Sequence, residues 1–241
     1  MDLVDALAAD RGLVCVVGAG GKKTALYALA DRLDRAVVTA TVRIPIFDDE
    51  VAAVFVTDTP GVAIKNATDW PVGVVPERER ADRYRGYDPA IVADLADAPA
   101  EAVLVKADGA RNRLFKAPGD REPQLPGNAD TVLPIASARV VGKPLDEQFV
   151  HRPERVAALT GLDPGEEIRP EHVATVLASE RGGRKDVPAG ATVIPVVNMV
   201  DDADDEAIGR EIARGVLDRA PVPRVVLTTL IADEPVVAVV E

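Results

Sequence analysis

Gly18, Gly20 and Gly21, followed by Lys22, Lys23 and Thr24, set flexible backbone positions ahead of two ammonium groups and a hydroxyl. That order suits phosphate. Glycines let successive backbone N–H groups curl around an anion with no Cβ in the way. A lysine then adds a point charge for the outer phosphates, and a threonine hydroxyl can hold magnesium. The usual spacing is Gly, four residues, Gly-Lys-Ser/Thr. Here Val16 stands at the first glycine's position, so the loop is a variant. It is either short, or shifted so that Lys23 and Thr24 supply the lysine and the hydroxyl. The dinucleotide fingerprint Gly-x-Gly-x-x-Gly fails, because Lys23 replaces its third glycine. The plainer alternative is a glycine turn between a core strand and a helix, with lysines in solvent.

Two further polar clusters follow apolar runs. Asp108, next to Gly109, ends one; a carboxylate there can hold magnesium opposite a phosphate loop. Arg111 adds positive charge nearby, although Asp-Gly is also an ordinary turn pair. Asn198-x-x-Asp201 ends another, and resembles the base-reading Asn-Lys-x-Asp element of guanine-nucleotide proteins, with Met199 in place of the lysine. Thr39 and Thr41 can bond phosphate or water, though threonine is common in strands. Glu122, in a loop, is a candidate for substrate or metal. His151 and Arg152 open a helical stretch, where a general base is one role and a cap the plainer one. The catalytic candidates are therefore Lys22, Asp108, Arg111 and His151. Gly18, Ala19, Gly20, Gly21, Lys22, Lys23, Thr24, Thr39, Thr41, Asn198 and Asp201 are expected to meet nucleotide. Thr24 and Asp108 are expected to hold Mg2+, and Glu122 and Arg152 to meet substrate.

The elements that must carry these groups are legible in the hydrophobic pattern. Residues 13–17 are Val-rich and read as a strand buried on both faces. After Thr24, Leu26, Leu29, Ala30 and Leu33 recur at helical steps. Further strands are expected over residues 36–42, 51–56, 70–75, 102–105, 131–136, 192–197, 224–230 and 236–240. Helices are expected over 2–9, 89–96, 151–160 and 170–179, and from about 203 to 218. Strands alternating with helices imply right-handed crossovers and a mainly parallel sheet, whose ligands gather beyond the carboxyl ends of the strands. The prediction is one three-layer, P-loop-NTPase-like α/β domain over residues 1–241, with a small helical insertion at about 151–180.

Composition sets the outer limits. The 241 residues carry 28 Lys and Arg against 40 Asp and Glu, a net charge of −12. That balance argues against broad electrostatic binding to nucleic acid or an anionic membrane. An Asp/Glu excess, Arg over Lys and few aromatics suggest a salt-adapted, halophilic cytoplasmic protein. The single cysteine, Cys15, lies in an apolar run and reads as a small core residue. No apolar run reaches ~18 residues, so neither a membrane span nor a signal peptide is expected.

Taken together, these motifs resemble the YqeC family. The resemblance rests on Gly18-Ala19-Gly20-Gly21-Lys22, Thr39-x-Thr41 and Lys106-Ala107-Asp108-Gly109-Ala110-Arg111. Lys116-Ala117-Pro118, Glu122-Pro123, Val150-His151-Arg152-Pro153-Glu154 and Asn198-x-x-Asp201 extend it across most of the chain. It implies a P-loop-like nucleotide-binding protein, an accessory factor for selenium-dependent molybdenum hydroxylases or selenium cofactor biosynthesis; the expected function is a Mg-dependent NTPase, or another enzyme using ATP or GTP, that assists this maturation. A client hydroxylase or a molybdenum cofactor would then be its partner. The family often has threonine after the loop lysine; Lys23 stands there, leaving the magnesium ligand between Thr24 and a water. With no second cysteine, the implied contribution is nucleotide-driven assembly or cofactor handling rather than chalcogen transfer. Two other roles stay open: a nucleotide-switched binding module, or a kinase or nucleotidyltransferase acting on a pterin-type acceptor.

Overall fold

A computed structural model describes residues 1–241. Ten strands form one sheet: β1 (Gly12–Gly18), β2 (Ala36–Ala40), β3 (Ala53–Val56), β4 (Val72–Val75), β5 (Ala102–Lys106), β6 (Thr131–Ser137), β7 (Thr192–Val193), β8 (Val196–Asn198), β9 (Val225–Thr228) and β10 (Val236–Val240). Their order is β10-β9-β8-β6-β1-β5-β2-β4-β3, with β7 also pairing β6. All pairs are parallel except β9 with β10. The helices are α1 (Leu3–Ala6), α2 (Lys22–Ala30), α3 (Pro60–Lys65), α4 (Pro89–Ala93), α5 (Pro153–Thr160), α6 (Pro170–Ala178) and α7 (Ala203–Leu217).

The Val-rich pattern of β1 places it at the centre, where both faces are covered. Val14 and Val16 pack beneath α1 and α2, whereas Leu13, Cys15 and Val17 face the opposite layer with α3 and α4. Cys15 is fully buried, and burial raises its thiol pKa, so it is an inert core residue. Farther along that second face, α5, α6 and α7 share one apolar cluster with β8 and β9. The expected helical insertion is thus part of the layer that covers this half of the sheet. The architecture is the expected three-layer α/β fold. No helix is long and apolar enough to cross a membrane.

Two crossovers decide where a ligand can enter. The chain leaves β1 through α2 and returns as β2, leaving the space between them for β5. From β5 it then passes to β6, on the other side of β1. The carboxyl end of β1 is therefore a topological switch point, where the flanking loops part and leave a crevice.

Candidate functional site

Gly18 to Thr24 fill that position. Gly18 and Gly20 have φ of +91° and +86°, which side chains rarely adopt. A Cβ on Gly18 would overlap the Ile135 carbonyl oxygen, and one on Gly20 would lie 2.7 Å from the Ser137 nitrogen. Glycine here lets the bend sit tightly on the end of β6. Ala19 is buried, and its N–H donates to Ile135 O at 2.8 Å. The next five N–H groups, Gly20 through Thr24, find no acceptor in the chain. Gly21 caps α2 without a side-chain hydrogen bond, so the helix N-terminus also stays open. Free amides and the helix dipole together make an anion site.

A buried ion-pair chain supports the loop from below. Asp108, 1% exposed, accepts the Gly18 N–H at 2.9 Å through Oδ2. Lys22 lies 3.0 Å from Asp108 Oδ1, off the hydrogen-bonding direction, and donates to Gly18 O. Lys116 lies 2.8 Å from Asp108 Oδ2 and 2.8 Å from Glu122 Oε2, and Arg152 reaches Glu122 at 2.6 Å. Burial lowers the Lys22 pKa, which Asp108 opposes. Burial raises the Glu122 carboxyl, but Lys116 and Arg152 more than offset it and hold the group down at about 2.

Above the loop is a cavity of about 760 Å³. Three lysines (Lys22, Lys23, Lys106) and five arginines (Arg43, Arg83, Arg111, Arg113, Arg152) line it against one carboxylate, Glu122. In a chain of net charge −12, that local reversal of sign defines what the cavity attracts. The segment after Asp108 turns over the cavity through two left-handed residues, Arg111 and Asn112, with φ of 48° and 58°. Strained positions of this kind gather at ligand clamps.

The structure brings nine of the expected residues together at the cavity, places Gly18, Ala19 and Asp108 in the bend and its support beneath, and sets four others aside. Gly20, Gly21, Lys22, Lys23, Thr24, Arg111, Glu122, His151 and Arg152 line the cavity. Thr39 is buried and donates to Val74 O at 2.8 Å, while Thr41 donates to Gln124 O at 2.6 Å and faces a neighbouring crevice. Asn198 lies beneath the loop and does not line the cavity. Its amide donates to Gly20 O at 2.8 Å, and its oxygen accepts from Thr228 and from Leu230 N. Asp201 pairs with Arg139 at 2.6 Å, away from the cavity. Lys106 and Lys116 were not among the expected site residues. Their signal was a lysine ending an apolar run and another beside Phe115, but the carboxylates that matter to them are remote in sequence.

The protein side chains alone do not form a cage for a resident magnesium ion. Mg2+ is usually bound by one or two free carboxylates together with waters and phosphates. Asp108 and Glu122 each already hold two cationic side chains. No group of three or more His, Cys, Asp or Glu side chains is placed to hold a metal. Of the two expected ligands, only the Thr24 hydroxyl lines the cavity.

His151 supplies a pH signature. Burial and the neighbouring Arg152 push its pKa down to about 4 from 6.5. The unfolded chain therefore takes up this proton first, so stability should fall as pH drops from about 6.5 through about 4. Glu122 adds loss at still lower pH, because its pKa is depressed from 4.5 to about 2. Melting temperatures between pH 7 and pH 4 should decline, and His151→Gln should flatten that decline. An unchanged slope in the variant would remove His151 as the cause.

The fold and the cavity define an α/β protein with a glycine loop and a cation-lined cavity at the switch point of a parallel sheet. The chain belongs to the YqeC family, whose profile, described as YqeC protein, matches residues 14–154, more than half of its length. It is similar to the uncharacterized protein YqeC of Escherichia coli (strain K12), with 26% identity over 200 residues, covering 80% of this chain and 78% of that protein. The matched region holds the loop, Asp108, Lys116, Glu122, His151 and Arg152, and ends before Asn198.

Proposed function

We propose that this protein binds the phosphates of a nucleotide, ATP or GTP, at the glycine loop. The observation that carries this reading is the run of five unpartnered amides at a cavity with eight cationic side chains and one acidic one. Each charge-assisted hydrogen bond to phosphate is worth about 1.5–3 kcal/mol. The resemblance adds a role in maturing a selenium-dependent molybdenum hydroxylase or its cofactor. A phosphorylated pterin has the anionic chemistry this cavity favours, which keeps the cofactor itself among the candidate ligands.

Two modes of use are open to a nucleotide held here: hydrolysis or group transfer, and a switch that only alters an interface with the client enzyme. The pairing of both nearby carboxylates with lysine or arginine favours the switch, since Asp108 is enclosed and Glu122, held down at about 2, is a poor base for activating a water. Single-turnover assays with ATP and with GTP, alone and with a pterin acceptor, separate these modes. Saturable binding with negligible phosphate release is the expected result. Rapid release without an acceptor would make the protein a hydrolase, release only with one a transferase, and no binding of either nucleotide would remove the proposal.

A further inference from the structure

Lys106 is the cavity's buried cation without a counter-ion. It ends β5, opposite Val16 of β1 on one side and Ala40 of β2 on the other. Its side chain is 7% exposed and lines the cavity. Nζ donates to the backbone oxygens of Arg43, at 2.7 Å, and Asp108, at 2.9 Å. An ammonium has three N–H donors, so one is left without an acceptor in the chain.

The other two buried lysines are built differently. Lys22 has the Asp108 carboxylate, and Lys116 has those of both Asp108 and Glu122. Arg152 shares Glu122 Oε2 with Lys116. No carboxylate lies within ion-pairing distance of Lys106; burial, with Lys22 and Lys116 nearby, pushes its pKa down to about 7 against the more distant pull of Asp108 and Glu122. Carbonyl dipoles offset part of its desolvation, but a buried charge is normally paired with an opposite one. The missing partner is an anion that the chain does not supply.

We propose that Lys106 pairs with a second phosphate of the bound ligand, next to the phosphate held by the loop amides. This assignment rests on the phosphate reading above and narrows its ligand. Adjacent strands lie on the order of 5 Å apart, so the Lys106 backbone stands one strand away from the loop that follows β1, and its side chain lines the same cavity. A phosphate chain anchored at the loop extends toward it, whereas a single phosphate does not. The ligand is accordingly a di- or triphosphate rather than a monophosphate.

The test compares tripolyphosphate with inorganic phosphate by titration calorimetry on the wild-type chain, Lys106→Met and Lys106→Arg, with melting of each free protein. Lys106→Met should weaken tripolyphosphate by about 10- to 100-fold, the loss of one charge-assisted contact, and leave inorganic phosphate within about twofold. Lys106→Arg keeps the charge and should retain most of the tripolyphosphate affinity. The free Lys106→Met protein should melt at or above the wild-type temperature, because an uncompensated buried charge has been removed. Equal affinity in wild type and Lys106→Met, equal losses for both ions, or a lowered melting temperature of the free variant would overturn the assignment. If the wild-type chain binds neither ion, the phosphate reading itself fails and takes this one with it.

Discussion

Asp108→Ala is expected to destabilise the protein by about 3–5 kcal/mol, the usual result of removing one partner from a buried ion pair. The carboxylate is almost fully enclosed, and it faces Lys22 and Lys116 while accepting the Gly18 N–H. Alanine would leave two buried ammonium groups facing each other and an N–H without an acceptor. The repulsion would then open the loop from beneath, so anion binding should fall with stability. Urea unfolding reads the first effect and calorimetry with tripolyphosphate the second. Asp108→Asn separates charge from shape, because the amide can still accept the Gly18 N–H but cannot balance the lysines. If Asp108→Asn unfolds at the wild-type midpoint, the ion-pair chain does not support the loop.

Gly20→Ala should have the largest effect on binding. The residue has φ of +86°, and an added Cβ would lie 2.7 Å from the Ser137 nitrogen and 2.8 Å from the Leu114 oxygen. Both neighbours are backbone atoms, so neither can swing aside as a side chain would. Strain of this kind costs about 1–3 kcal/mol. Relief by shifting the bend would also turn the Gly20 and Gly21 amides away from the cavity. Losing two charge-assisted bonds predicts a drop in polyphosphate affinity of at least ~100-fold, well beyond the loss in stability. Wild-type affinity in a folded Gly20→Ala protein would show that these amides do not meet the ligand.

The strands and helices were largely legible because their apolar residues follow simple periods. Residues 13–17 and 102–105 are continuous apolar runs, and both are central strands of the sheet. The expected strand over 192–197 is divided at Ile194 and Pro195, since proline cannot donate to the ladder. Helix α3 was missed: Pro60-Gly61 has the composition of a turn, yet Pro60 occupies the first helical position, where its missing N–H is harmless. The two-residue pairing of Phe115–Lys116 with Val150–His151 is too short to carry a period.

The site was legible where its chemistry is local and opaque where it is not. A glycine bend followed by lysines and threonine is contiguous in the chain, so its character could be read directly. The ion pairs depend on residues 22, 108, 116, 122 and 152, which only the folded sheet brings together. Asn198 shows the limit of motif reading: its position after a strand suggested a base contact, whereas its hydrogen bonds go to Gly20 O and the Leu230 N–H. Lys106 was visible as a polar residue ending a strand, but its lack of a counter-ion is a property of the surroundings.

The most direct measurement is a titration of 15N-labelled protein with pyrophosphate, followed through the backbone amide resonances of Gly20, Gly21, Lys22, Lys23 and Thr24. All five should shift together and saturate at one equivalent, with smaller changes at Arg111 and Arg152 across the cavity. Pyrophosphate that leaves these five resonances in place, or that shifts only amides elsewhere, would contradict the anion site at the glycine loop.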